Sequence, residues 1–402
     1  MMPATTLRLS RMGMSVGESA TLRQAARVAE LRAQGRSVWN FTVGEPDCET
    51  PQPIRDAAHH AVDSGHTRYT PTAGTQALRS GVARHYARKH GVDWRPSQVI
   101  VSAGVKQVLW TAMAALVEPG DEVLLLAPYW VSYAAYIKLL GGVPVVVRGA
   151  RKRDFKATGA ELAAALSPRT RVVLFNSPVN PTGAVYSRDE IRDLLAPLES
   201  HAAVLLSDEI YENMVYGVTH VSPIEACPQL ADRMLVASGA SKSFAMTGWR
   251  IGWGLGPEPL VHAMTSLQSH MTGNAGSVAQ HAAMAALELE PAVLREIPAI
   301  FERRREICLE IFAGAPEIRF PEPHGAFYFF FDTSPFLGEW RHGRRITGSV
   351  ELAEHLLESH GLAVVPGAAF DNDAGIRLSY TLPEAELRTG LPRLVEVLRD
   401  RA

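Results

Sequence analysis

The sequence predicts an α/β fold, with a large domain on a mainly parallel seven-stranded sheet sandwiched by helices, and a smaller α+β domain after it. Three observations predict it. Short β-branched runs alternate with helical periods through the middle of the chain, the pattern of βαβ units. Several of these runs are continuous Val/Leu stretches rather than alternating ones, as expected where helices cover both faces of a sheet. After about residue 286 the texture changes to a charged amphipathic helix followed by shorter strands.

In chain order, the periodicity first predicts a helix over Thr21–Gln34. Strands are expected at Gln98–Ser102, Glu122–Ala127, Val143–Arg148, Arg171–Asn176, Ala203–Ser207, Met234–Ser238 and Ile251–Leu255, with helices such as Lys106–Leu116 and Arg188–Leu195 between them. Glu118-Pro119-Gly120-Asp121 reads as a helix stop and turn. Beyond Glu288 a long amphipathic stretch to Phe312 is expected to break near Pro291 and Pro298. A strand at Ala326–Phe331, a helix at Val350–Ser359 and a strand at Leu362–Val365 follow. The expected division is an N-terminal arm over 1–40, whose helix packs with the small domain, a large domain over 41–285 and a small domain over 286–402.

Composition narrows the function. The 402 residues carry a formal charge of −2, with 47% hydrophobic and 20% charged residues, which excludes a disordered scaffold. The chain has no basic block that would mark a nucleic-acid protein; Arg151-Lys152-Arg153 reads as a solvated turn. No apolar run reaches the roughly 20 residues of a membrane helix, and Met1–Ser10 lacks the apolar core of a secretory signal. A cytoplasmic location is expected. Cys48, Cys227 and Cys308 are scattered, so neither a disulfide framework nor a CxxC metal site is expected.

Ligands of open parallel sheets bind beyond the carboxyl ends of the strands. There the sequence places Ala103-Gly104-Val105-Lys106, Ser177-Pro178-Val179-Asn180-Pro181-Thr182-Gly183, Asp208-Glu209-Ile210-Tyr211 and Gly239-Ala240-Ser241-Lys242, with Arg250 eight residues further on. A helix opening after a small-residue turn, with an arginine nearby, suits a phosphate. A lysine at a strand end can form an imine with a carbonyl, and an acid facing a pyridine nitrogen keeps that ring electron-withdrawing. Together these describe pyridoxal 5′-phosphate held by a lysine. Lysine is scarce, only six of 40 basic residues, and Lys242 is the one that follows an apolar strand. Taken singly, Asp208 could be a helix N-cap, Asn180 a turn residue and Trp130 a core residue. Other chemistries lack their patterns. There is no HExxH, no GxxxxGK[ST] and no helix-opening GxGxxG, despite Gly252-Trp253-Gly254-Leu255-Gly256; an SxxK serine is excluded by Gly239. His59 and His60 sit on a helix-like stretch, and His270 is expected at the surface.

The run from Ser238 to Gly252, around Ser241-Lys242 and Gly248-Trp249-Arg250, resembles the cofactor-lysine motif of class I aminotransferases of fold type I. Asn176-Ser177-Pro178-Val179-Asn180-Pro181-Thr182-Gly183 and Ser207-Asp208-Glu209-Ile210-Tyr211 resemble two further motifs of that family in the same order. The resemblance runs from about Arg11 to the C-terminus and is closest to the bacterial aspartate/prephenate aminotransferase branch. It implies that Lys242 binds the cofactor and then moves the α-carbon proton, that Asp208 pairs with the pyridine nitrogen, and that Tyr211 and Asn180 reach the phenolic oxygen. It further implies stacking by Trp130, a phosphate held by Arg250 with the backbone of Gly104, Val105 and Lys106, and a fork from Arg377 on the substrate carboxylate, helped by the Gly44 backbone. Tyr69 would reach the phosphate of a neighbouring subunit, which implies a homodimer. The implied reaction is ping-pong transfer between an L-amino acid and a 2-oxo acid through pyridoxamine phosphate. A β-lyase or a specialised donor is the alternative.

Lys106 resembles the lysine that this branch directs at a second carboxylate, with Thr21 nearby and Arg11 upstream, which favours aspartate- or glutamate-type donors. A cation at a helix start is locally unfavourable, which by itself argues for a role. Thr272-Gly273-Asn274-Ala275-Gly276-Ser277 departs from the branch's usual Ser/Pro-richer segment, where the substrate side chain is expected to pass.

Overall fold

The computed structural model describes residues 7–17, 19–340 and 344–400. The reading of Met1–Ser10 therefore falls mostly outside the described residues, as does the Arg11 side chain.

The central sheet has seven strands: β2 (Val99–Ser102), β3 (Glu122–Ala127), β4 (Val143–Arg148), β5 (Thr170–Asn176), β6 (Val204–Asp208), β7 (Met234–Gly239) and β8 (Gly252–Leu255), after a short β1 at Trp39–Asn40. Their order is β2-β8-β7-β6-β5-β3-β4. All run the same way except β8, which is antiparallel to both neighbours. The link from β7, residues 240–251, forms turns and no crossover helix, and the chain doubles back. The glycines of β8 let it lie flat under the helix Val105–Leu116: a Cβ on Gly252 would stand 2.6 Å from the Val105 nitrogen, and one on Gly254 2.8 Å from Val108. Close packing, not dinucleotide binding, explains that glycine run.

Val101, Leu124, Val173, Leu205 and Val236 face one apolar core, and Ile100, Leu125, Leu174, Leu206 and Leu235 face another. Both faces are buried, hence the continuous apolar strands.

The C-terminal part holds β9 (Tyr328–Asp332), β10 (Gly338–Trp340), β11 (Arg344–Ile346), β12 (Leu362–Ala363), β13 (Val365–Pro366) and β14 (Gly375–Ser379). Strands β13, β14 and β9 form an antiparallel sheet in that order. The expected single strand Leu362–Val365 is divided. Leu362–Ala363 pairs with β1 and Val365–Pro366 with β14, because the chain passes from one sheet to the other at Val364. The expected break near Pro291 is present, since residues 288–290 are not helical and a new helix opens at Pro291, but the one near Pro298 does not occur, for one helix spans Pro291–Ala313. Pro291 occupies its first turn, where no amide donor is needed. Around Pro298, burial of Ile297 and Phe301 outweighs one missing hydrogen bond. The helix Ala20–Ala33 sends Val28 and Leu31 against Leu357 and Ala363, and Arg27 forks onto Glu358. The basic cluster at 151–153 is more than a solvated turn, since Arg151 pairs with Asp332 and Arg153 with Glu161.

Among the described residues no helix is long and apolar enough to cross a membrane.

Candidate active site

The register of the parallel strands sets the site. Asn176, last in β5, lies beside Asp208, last in β6, and Ser102 and Gly239 lie level on either side of Gly252. Their following loops open a cavity of about 330 Å³. Thr21, Gly44, Val105, Lys106, Trp130, Asn180, Asp208, Tyr211, Lys242, Arg250 and Arg377 all line it. Gly104 borders it through Arg250: a Cβ there would stand 2.7 Å from the guanidinium, and its φ of 89° is one that favours glycine.

Lys242 is partly buried, and its Nζ donates to the Gly44 carbonyl at 2.6 Å. Burial lowers its pKa to about 8, opposed by Glu45, so roughly a tenth of it is uncharged at pH 7. Asp208 is 4% exposed and ends a strand without capping a helix. Burial lifts its carboxyl to about 6, while the Tyr133 hydroxyl and the Ile210 amide pull it down. It is therefore mainly ionised at pH 7 and available to a cationic ring nitrogen.

Arg377 projects from β14 beneath the same cavity. Its Nη2 donates to the Thr42 carbonyl at 2.8 Å and its Nη1 to Asn180 Oδ1 at 3.2 Å. The guanidinium lies 4.4 Å from the Tyr328 ring centroid. Each terminal nitrogen carries a second N–H beyond these bonds, so the fork retains donor capacity for a carboxylate. Asn180 is held by its own amide, which donates to Asn176 Oδ1 at 3.0 Å. The Tyr211 and Tyr328 hydroxyls share a hydrogen bond of 2.9 Å.

The phosphate-type corner is built by the start of the helix Val105–Leu116, where the first amides have no intrahelical acceptor, and by Arg250. Arg250 takes a positive φ of 54° and is oriented by donation to the carbonyls of Thr247 and Ala103. Lys106 lies 5.2 Å from the Trp130 ring centroid, its pKa lowered by burial and then by Arg250. Thr21 shares a 2.8 Å hydrogen bond with Ser19.

Two of the residues and segments named from the sequence lie outside this cavity, of which Tyr69 is expected to serve a neighbouring subunit. Tyr69 is 98% exposed and does not line the cavity of this chain. Thr272–Ser277 does not line it either; Thr272 accepts from Gln107, and Ser277 donates to the His66 carbonyl. His270 is exposed, as expected. Sequence reasoning missed Thr42, Tyr133, Asn176 and Tyr328. Asn176 carried a signal as the last residue of a strand beside Asp208. Tyr328 carried none, since it meets Tyr211 across 117 residues.

The donor set suits pyridoxal 5′-phosphate. A buried carboxylate, an amine of lowered pKa, an aromatic plate and a helix N-terminus with its arginine surround one space, and glycine at 104 leaves room for the arginine.

The family described as aminotransferase class I and II matches residues 36–394. The chain is 39% identical to an aspartate aminotransferase of Geobacillus stearothermophilus, over 98% of this chain and 100% of that one. It is also 39% identical to an aspartate/prephenate aminotransferase of Thermus thermophilus, over 97% and 98%. Among solved structures, the aspartate aminotransferase of Rhizobium meliloti superposes with a TM-score of 0.95 at 37% identity, covering 99% of this chain and 100% of that one. The aspartate aminotransferase of Thermus thermophilus with maleate gives 0.91 at 38%, covering 98% and 100%. Matches of this extent, on a cavity already suited to the cofactor, place the chain in the class I and II aminotransferase family, as a fold type I aminotransferase that depends on pyridoxal 5′-phosphate.

Proposed function

We propose that the chain transfers amino groups from dicarboxylic L-amino acids, aspartate or glutamate, to 2-oxo acids in a ping-pong cycle, and that it works as a homodimer in the cytoplasm. The observation that carries the substrate class is the presence of two cations, Arg377 and Lys106, in the wall of one cavity, apart from the Arg250 assigned to phosphate. A relative solved with maleate, a dicarboxylate, agrees with this reading.

When bound, the cofactor supplies an electron-accepting ring and a carbonyl able to take the amino group. Lys242 anchors it, and its Nζ, once released, carries the proton to and from the substrate α-carbon; a pKa lowered towards neutrality suits that exchange. Asp208 receives the ring nitrogen, and Tyr211 and Asn180 the phenolic oxygen. Trp130 covers the ring. Arg250 and the amides of Gly104, Val105 and Lys106 hold the phosphate, joined by Tyr69 of a second copy of the chain, a role consistent with its exposure. Arg377 grips the α-carboxylate beside Gly44, and Lys106 with Thr21 takes the distal one. The division of the chain into 1–40, 41–285 and 286–402 fits this scheme, with Arg377 brought by the third segment to the groups of the second.

The test is the visible absorption of the cofactor-loaded protein during addition of single amino acids. Glutamate and aspartate are expected to change it, yielding a keto acid without ammonia, and a keto acid should restore it; Lys242→Ala should abolish the exchange. Ammonia and pyruvate released from a β-substituted amino acid would make the protein a lyase instead. An equal response to alanine and aspartate would remove the dicarboxylate assignment.

A further inference from the structure

Tyr133 lies in none of the recognised motifs, yet it joins two parts of the site. It stands three residues after Trp130, and its amide donates to the Trp130 carbonyl at 3.1 Å, so a single turn of backbone places both rings. The rings meet edge to face, with centroids 5.3 Å apart and planes at 84°. Such an arrangement is favourable beyond simple burial. Tyr133 is 1% exposed, and its hydroxyl donates to Asp208 Oδ2 at 2.6 Å. Asp208 Oδ1 accepts from the Ile210 amide at 3.2 Å. Each carboxylate oxygen is thus held by one donor, which fixes the plane of the group and leaves lone pairs for a further partner.

We propose that Tyr133 is a positioning residue for the aminotransferase reaction: its hydroxyl holds Asp208 as an oriented carboxylate facing the cavity, while its ring sets the Trp130 plate. A hydrogen bond to the charged form of an acid favours that form. Among the groups opposing the effect of burial on Asp208, the Tyr133 hydroxyl comes first. Burial and Asp208 in turn push the phenol well above its ordinary range, so the hydroxyl keeps its proton and remains the donor. A phenylalanine would keep the ring contact and lose only this bond.

The inference rests on the reading of Asp208 as the partner of the ring nitrogen, and the experiment separates the two. The probe is pyridoxine 5′-phosphate, which has the ring nitrogen and the phosphate but no aldehyde, and so reports binding free of any bond to Lys242. Its affinity is measured by quenching of tryptophan fluorescence between pH 5 and 9. Asp208→Asn should weaken binding and flatten its pH dependence; failure of that variant to do so would overturn the reading of Asp208 itself. Given that effect, Tyr133→Phe should move the low-pH midpoint upward by about one pH unit, the scale of one hydrogen bond to a charged group. Its kcat should fall roughly tenfold with little change in KM, and it should add nothing to Asp208→Asn. Incorporation of 3-fluorotyrosine at 133, a stronger donor of nearly the same shape, should move the midpoint downward, so the idea is tested even if the phenylalanine variant does not fold. A pH profile unchanged by both substitutions, or an effect of Tyr133→Phe that adds in full to Asp208→Asn, would overturn the inference.

Discussion

Arg304 grips Asp47 with both terminal nitrogens, Nη1 to Oδ1 at 2.6 Å and Nη2 to Oδ2 at 2.9 Å, and also donates to the Thr381 carbonyl. This fork ties the long helix Pro291–Ala313 to the loop that, three residues earlier, presents the Gly44 carbonyl to Lys242. Arg304 is 7% exposed, whereas Asp47 is partly solvated, so the pair is worth less than a fully buried one. Arg304→Ala should lower stability by about 1–3 kcal/mol, mainly because the carbonyl and carboxylate lose their donor. It should also raise KM, since the loop beside Lys242 loses its tether. Denaturant unfolding and steady-state kinetics check both; unchanged KM in a destabilised variant would show that the tether serves the fold alone.

The planar fork of Arg377 is expected to matter for every substrate. Its nitrogens are already aligned by Thr42 and Asn180, with Tyr328 and Phe370 against its plane. Arg377→Lys keeps a charge but loses the paired donors. The expected fall in kcat/KM is roughly 10–100-fold, similar for aspartate and alanine. A loss confined to aspartate would move Arg377 from the α-carboxylate to the distal one.

Lys106 should divide substrates by charge. Exposed on the cavity wall beside Trp130, it costs stability at a helix start unless an anion approaches. Lys106→Ala should reduce kcat/KM for aspartate by roughly 10–100-fold, and for alanine far less. Parallel losses for the two donors would show that Lys106 supports the cofactor rather than substrate choice.

Behind the site, Glu209 is fully buried among Ser207, Ser222 and Glu212. Burial, reinforced by Glu212, pushes its carboxyl from 4.5 up to about 8. His220, 3.5 Å away, gives it no charge at neutrality, because burial lowers that imidazole to about 4. The folded chain therefore holds a proton that the unfolded chain releases above pH 4.5. Its contribution is fully present below that value, declines as pH rises through the interval, and is gone above about pH 8. Glu209→Gln copies the protonated form, so the melting temperature of the variant should fall less than that of the native protein between pH 5 and 8. Parallel curves would show that Glu209 is ionised in the folded state.

Much of the fold and the site could be read along the chain because the relevant physics is local. Short apolar runs mark strands buried on both faces, and the turns after them name Asn180, Asp208, Tyr211 and Lys242. Gly104 and Arg250 were legible for a similar reason, since a tight turn before a helix restricts residue choice. By itself the sequence determined the α/β class, the six parallel strands of the sheet, the cofactor and most of the residues that line its cavity. Only the tertiary structure decided the reversal of β8, the continuous helix through Pro298, the division of Leu362–Val365 between two sheets, and the partners Tyr133, Thr42 and Tyr328. Each of these depends on contacts between segments far apart in the chain. Their free energy comes from burial and pairing that exist only after folding, so they leave no periodic trace in the residues that make them.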